Sequence, residues 1–270
     1  MNFYTISALS LVIFYILLTV IVFLFQRNLL YHPSIDNHLK DDLVIEPTEI
    51  NKVKITTNDN IDLLGWFYNR DVKKFKTILF FHGNAGSLKN RTYKLNHFKD
   101  LDVNFLIIAW RGFSGNKGKP NETGLYEDAK SAIKWLNNKG IKDKDIIIYG
   151  EALGTAVAVE IAQNKNYAGI VLESPFTSMI NMGKKYYPFF PVSFLLKDKF
   201  ESDIKINNIS IPILIIHGKV DKIVPFKMGK KIYELANHPK FFYSIEYGDH
   251  MIEYDEKLLS TLEKFILSLN

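Results

Sequence analysis

The chain has 270 residues, 47% hydrophobic and 23% charged, with 34 Lys and Arg against 29 Asp and Glu for a formal charge of +5. These proportions exclude intrinsic disorder and collagen-like structure, and the length suits one large domain with a small appendage. Cysteine is absent, which removes disulfide frameworks, zinc–thiolate sites, iron–sulfur ligation and cysteine nucleophiles together, and the basic excess is too slight and too interleaved with acids to call for a nucleic-acid partner.

No charged side chain precedes Arg27, and Ile6 to Phe25 reads ISALSLVIFYILLTVIVFLF, in which 15 of 20 positions are Leu, Ile, Val or Phe. About 20 residues at a 1.5 Å rise span the hydrocarbon core of a bilayer. A cleaved signal peptide would start basic and carry a shorter apolar run ending in small residues; here the start is MNFYTIS and the run ends FLFQRNLL. A buried core helix would show a polar face, and this one shows none. Residues 1–26 therefore predict a retained single-pass transmembrane anchor, in contact with the bilayer through residues 6–25, with a linker at 27–50 and a folded domain over 51–270. Arg27, His32, His38 and Lys40 on the C-terminal flank incline the positive-inside rule towards a cytoplasmic domain, although Asp36, Asp41 and Asp42 accompany them.

Short apolar runs then alternate with amphipathic stretches. The runs predict strands at Lys52–Thr57, Ile61–Tyr68, Thr77–Phe81, Asn104–Trp110, Asp145–Tyr149, Ala168–Glu173, Pro212–His217 and Phe241–Glu246. Several are near-continuous Ile, Leu, Val and Phe, as strands covered on both faces require. Helical patterns fill Leu88–Phe98, Gly124–Asn137, Leu153–Asn164, Lys227–Ala236 and Asp255–Leu269. The alternation predicts an α/β fold with a mostly parallel central sheet and helices on both sides, with the first two strands an antiparallel hairpin around Asn58-Asp59-Asn60. Between Glu173 and Pro212 the rhythm breaks into almost forty residues rich in Tyr, Phe and Pro. That stretch predicts a short helical cap over about 176–208, on the carboxyl edge of the sheet where open α/β sheets bind ligands.

Tyr149-Gly150-Glu151-Ala152-Leu153-Gly154-Thr155 joins the strand DIIIY to the helix LGTAVAVEIA. A strand–turn–helix corner with glycines two before and two after its centre is the setting of the nucleophile elbow, G-x-S-x-G, whose central residue is strained and whose backbones approach closely. Ala152 stands where that pattern needs a hydroxyl. Phe80-Phe81-His82-Gly83-Asn84-Ala85-Gly86 is a Gly-rich strand exit. Its amides can bind a developing oxyanion together with the amide after the nucleophile, so Asn84 and Leu153 are the expected donors; the plainer reading is an ordinary tight turn with His82 structural. Asp221 in IIHGKVDKIVP and His250 in IEYGDHM each follow a strand, in the chain order nucleophile, acid, histidine. Asp221 would hold His250 in one tautomer, and His250 would pass the nucleophile's proton to the leaving group.

With these motifs the chain resembles the α/β-hydrolase superfamily, and within it the membrane-anchored, bud-emergence-protein-like serine hydrolases, a group that includes α/β-hydrolase-domain proteins acting on lipid esters and on S-acylated proteins. The resemblance rests on QRNLLYHP, FFHGNAGS, WRGFSGNKGKPNETGLYEDA, IIIYGEALGTAVAVE, LESPFTSM, YPFFPVSFLLKDKFES, IPILIIHGKVDKIVP and YGDHM, in order along nearly the whole chain. It implies Asp221 as catalytic acid, His250 as base and position 152 as nucleophile, and the departure is Ala152 in place of serine. It implies hydrolysis of a lipid ester or an S-acyl protein with no metal and no cofactor.

Alanine at 152 admits an active hydrolase altered at its nucleophile, or a natural pseudoenzyme that binds acyl ligands or partners without turnover. Ser87, Ser174 and Ser178 sit at no elbow, so none is expected to replace the missing hydroxyl. Gly112, Gly115 and Gly118 are spaced G-x-x-G-x-x-G, without the Walker or dinucleotide pattern, and no pair of the seven histidines has metal-ligand spacing. In the cap, Tyr186, Tyr187 and Phe190 are candidate substrate-binding residues, with Phe189, Phe194 and Leu195 beside them. Lys184, Lys185, Lys197 and Lys199 would suit anionic headgroups.

Overall fold

The computed structural model describes residues 3–34 and 50–269. Residues 35–49 of the expected linker, with His38, Lys40 and the three aspartates of the orientation argument, lie outside the described residues. Helix α1 (Phe3–Leu30) extends the apolar run through Arg27 and has no fully buried residue. It is long and apolar enough to cross a membrane. Its 28 residues measure about 42 Å, about two turns longer than a hydrocarbon core of about 30 Å requires.

The two-residue strands β1 (His32–Pro33) and β5 (Ala85–Gly86) pair in parallel beside the main sheet. The main sheet contains β2 (Ile50–Thr56), β3 (Asp62–Tyr68), β4 (Thr77–Phe81), β6 (Asn104–Ile108), β7 (Ile146–Glu151), β8 (Gly169–Glu173), β9 (Ile213–Gly218) and β10 (Lys240–Ile245), in the order β10-β9-β8-β7-β4-β6-β3-β2. Only β3 runs antiparallel to its neighbours β2 and β6. All residues of β4, β6, β7, β8 and β9 are buried. Successive side chains point to opposite faces, so both faces of these strands are covered. The remaining helices are α2 (Thr92–Phe98), α3 (Glu122–Asn138), α4 (Leu153–Ala162), α5 (Met179–Tyr186), α6 (Val192–Leu195), α7 (Ser202–Lys205), α8 (Phe226–Leu235) and α9 (Glu256–Leu267).

Most elements lie within a residue or two of their predicted bounds, and in two elements a local bond accounts for the difference. The strand predicted to reach Trp110 ends at Ile108, because the Trp110 amide leaves the ladder and donates to His82 Nε2 at 3.3 Å. The helix predicted from Leu88 opens as a 3-10 turn, Leu88–Arg91, before α2 begins; there the Ser87 amide donates to the Asn90 side chain at 2.8 Å. Between β8 and β9, α5, α6 and α7 supply the short helices predicted for the cap.

Parallel strands send their carboxyl ends to one edge. The exits of β4, β7, β9 and β10 therefore meet there, carrying residues 82–84, 152, 221 and 250. Since β4 and β7 are neighbours, with Phe81 paired to Gly150, the glycine-rich exit and the elbow lie side by side.

Candidate active site

Ala152 has φ 48° and ψ −112°, a combination that L-residues rarely occupy and that costs on the order of 1–3 kcal/mol. The turn is held on both sides: the Ala152 amide donates to Glu173 O at 2.9 Å, and Ala152 O accepts the Thr155 hydroxyl at 2.5 Å. Close packing explains the flanking glycines. A Cβ on Gly154 would sit 2.0 Å from Phe81 O, and one on Gly150 would sit 2.5 Å from Gly154 O. The backbone is thus that of a nucleophile elbow, without a hydroxyl at its tip.

The acid and the histidine meet as their chain order predicts. His250 Nδ1 lies 2.9 Å from Asp221 Oδ2. An ionised carboxylate only accepts, so Nδ1 carries the proton and Nε2 is left as a base. Asp221 Oδ1 accepts the amides of Ile223 and Val224, both at 2.8 Å. Burial pushes the Asp221 carboxyl up, but the hydrogen bonds of His217 and His250 outweigh it and hold the group well below the usual carboxylate range. His217 was not singled out from the sequence. Its Nε2 lies 3.0 Å from Val224 O, which can only accept, and 3.3 Å from Asp221 Oδ2. Two imidazoles therefore share one carboxylate oxygen.

A cavity of about 260 Å³ opens at this corner. Ala152, His250, Asn84 and Leu153 line it on the sheet side, and Tyr186, Tyr187 and Phe190 line it on the cap side. Leu153 is the first residue of α4, so its amide is one of those a helix cannot satisfy internally. Ser87, Ser174 and Ser178 are not in the lining; Ser178 instead caps α5, accepting the Asn181 amide at 3.1 Å. Lys185 Nζ turns back to Ile223 O at 3.1 Å, and Lys197 Nζ lies 4.3 Å from the centre of the Phe23 ring. Among the described residues, no group of three or more His, Asp or Glu is placed to hold a metal ion.

Beneath the elbow lies a buried charge cluster that the sequence reading missed. Glu151 Oε2 accepts Lys94 Nζ at 2.6 Å, and Oε1 accepts Arg91 at 2.7 Å and the Gly83 amide at 3.1 Å. Lys94 also pairs with Glu173, whose second oxygen accepts the hydroxyls of Tyr149 and Tyr254 at 2.8 and 2.7 Å. Burial lowers the Lys94 ammonium, but Glu151 and Glu173 more than reverse this and hold it above the ordinary lysine range. Burial also raises the Glu151 carboxyl, and Arg91 and Lys94 pull it far below its usual range. The formal charges cancel. Through Glu151 the cluster ties the Gly83 turn to the residue before position 152.

His82 takes the structural role. Fully buried, it accepts the Trp110 amide at Nε2 and contacts Gly83 O through Nδ1 at 2.8 Å. Burial, with Arg91 adding to it, lowers its pKa to about 3. The unfolded side chain takes a proton below about pH 6.5, while the folded one stays neutral until about pH 3. This contribution to stability is therefore full above pH 6.5 and is lost as the pH falls, by about 2 kcal/mol at pH 5. The thermal unfolding midpoint is expected to fall between pH 6.5 and 5, and to fall less in His82→Gln, whose amide can serve both bonds. Equal slopes in the two proteins would remove His82 as the cause.

The family described as alpha/beta hydrolase of unknown function (DUF1057) matches residues 67–189. An uncharacterised Mycobacterium tuberculosis protein is 35% identical over 217 residues, covering 80% of this chain and 76% of its own. A lysophosphatidylserine lipase of Danio rerio is 32% identical over 196 residues, covering 65% of this chain and 51% of its own length. Among solved structures, an esterase of Pyrococcus furiosus superposes with a TM-score of 0.71 at 23% identity, covering 89% of this chain and 97% of its own. The family model over residues 67–189 and the likeness of fold agree, and the chain has the α/β-hydrolase fold.

Proposed function

We propose that this is the scaffold of a membrane-anchored serine hydrolase that cleaves carboxylic esters or thioesters of lipid or S-acyl-protein type through an acyl-enzyme, and that alanine at position 152 leaves it nearly inert. The observation that carries the reading is the elbow at 152, kept in a costly backbone conformation on the same cavity as an intact His250–Asp221 pair. With serine at 152, His250 Nε2 takes the hydroxyl proton while the oxygen attacks the substrate carbonyl. The amides of Asn84 and Leu153 receive the developing negative charge, and Asp221 stabilises the imidazolium. His250 then returns the proton to the departing alcohol or thiol, leaving the acyl group on residue 152 for water to release. The cap aromatics Tyr186, Tyr187 and Phe190 hold the acyl chain by apolar contact. The anchor makes a lipidic substrate the natural one, in keeping with the Danio rerio lipase relative.

A second reading, a natural acyl-binding protein without turnover, is favoured by the alanine itself. Hydrolysis of p-nitrophenyl esters of graded chain length by Ala152→Ser separates the two. The hydrolase reading expects turnover that rises with chain length and vanishes with His250→Ala; no turnover at any length favours the binder.

A further inference from the structure

Taking the cavity as an acyl site, as the hydrolase reading does, we propose that the anchor is itself one wall of that site. The acyl chain of a single-chain ester lipid then enters sideways from the leaflet that holds the C-terminal half of α1.

Val22, Phe23, Gln26, Leu29 and Leu30 of α1 share one cavity lining with Ala152 and His250. Burial along the C-terminal half of the helix follows nearly the same geometry: from Leu17 to Leu30, Thr19, Val22, Phe23, Gln26 and Leu30 are half-buried while the others are exposed. That spacing of three and four residues marks one face of a helix. The face is pinned to the catalytic domain. Arg27 makes two 2.9 Å bonds to Asp198, and Gln26 Oε1 accepts the Lys197 amide at 2.8 Å while its Nε2 donates to Leu195 O at 3.2 Å. Leu30 O accepts Asn84 Nδ2 at 2.6 Å. The chain end of α1 is thereby fastened to the residue expected to bind the oxyanion. With the polar groups of Gln26 occupied, this wall presents mainly hydrocarbon surface, the Phe23 ring among the aliphatic side chains of Val22, Leu29 and Leu30.

The cap points to the direction of entry. The Tyr15 hydroxyl donates to Phe189 O at 2.7 Å, and the Tyr15 and Phe190 rings stack with centroids 6.0 Å apart. Tyr15 lies ten residues inside Phe25, about 15 Å along the helix axis, so the cap tip reaches hydrocarbon depth. A carbonyl there must find its partner within the protein, and Phe189 O does. Phe189 and Phe194 are 85% and 90% exposed, a burden in water but favourable in the acyl region of a leaflet. The cavity of about 260 Å³ lies just under the range of about 300–1,000 Å³ usual for small-ligand sites, which suits part of one chain rather than two.

The test uses the full Ala152 chain in dioleoylphosphatidylcholine nanodiscs. The probes are a lysophosphatidylcholine with a diazirine midway along its chain and a diacylphosphatidylcholine bearing the same group. Peptide mapping is expected to find the lysolipid on Phe23 and Phe190 several-fold above Leu24 and Phe25, which are exposed on α1. Leu29→Trp or Val22→Trp should bring the cavity labelling down to the Leu24 level, and the diacyl probe should favour Leu24 and Phe25. Cavity labelling no higher than at Leu24, or unchanged by both tryptophans, would overturn the wall, and equal cavity labelling by the diacyl probe would overturn the single-chain assignment. The readout needs no turnover. Failure of Ala152→Ser to hydrolyse esters would therefore sink the hydrolase reading alone, and failure of labelling beside an active serine form would sink this one alone.

Discussion

Replacing Ala152 with serine is expected to raise p-nitrophenyl ester hydrolysis by roughly 10⁴-fold or more. In a well-studied protease, removal of the nucleophilic serine costs on the order of a millionfold in turnover, with a residue of rate enhancement left by binding and oxyanion stabilisation. What the added hydroxyl needs is already in place: the elbow backbone at residue 152, the His250–Asp221 bond at 2.9 Å, and the shared cavity. Serine adds one oxygen to a residue whose φ of 48° already bears the strain. In the serine form, His250→Ala should return the rate to that of the alanine chain. Asp221→Asn should cost roughly 10⁴-fold, the loss seen for the matching change in a triad protease. Both oxygens of Asp221 accept, one from two backbone amides and the other from imidazole. Whichever way the asparagine turns, its NH₂ group meets donors. Ester kinetics of the four proteins check the series, and a gain below tenfold would contradict it.

Lys94→Met is expected to destabilise the domain by about 3–5 kcal/mol, the usual cost of removing one partner of a buried ion pair. Lys94 is 1% exposed and bridges Glu151 and Glu173. Methionine fills the space but leaves Glu173 with only the hydroxyls of Tyr149 and Tyr254; Glu151 retains Arg91 and the Gly83 amide. For a domain of this size the loss corresponds to a fall in thermal midpoint of roughly 10 °C. Adding Glu173→Gln should recover part of it, because a neutral amide costs less to bury than an unpaired carboxylate. A Lys94→Met midpoint within a degree or two of the parent would show that the cluster contributes little.

Most of the fold was legible because buried parallel strands write themselves as apolar runs. Thr77–Phe81 matches its predicted bounds, and Asn104–Ile108 stops two residues short. Position 152, Asp221 and His250 were legible for a related reason: each follows a strand by a few residues, and parallel strands deliver such residues to one edge. The charge cluster was hidden because its partners are far apart in the chain, Lys94 and Glu151 being 57 residues from one another. Lys94 sits in TYKLNHF, where it reads as one polar position of an amphipathic helix. The only signal was an acid beside the elbow centre. The wall formed by α1 was hidden by the uniformity of its sequence. Where every face is apolar, periodicity cannot mark the one that packs, and the tie from Leu30 to Asn84 spans 54 residues.

Covalent labelling of the Ala152→Ser protein by a fluorophosphonate, followed by peptide mapping, tests most directly whether residues 152, 221 and 250 form one catalytic unit. The expected result is a single adduct on the residue at 152, formed rapidly in that protein and abolished by His250→Ala. An adduct on any other serine, or none at all in a folded protein, would contradict the assembly of these three positions into a hydrolytic site.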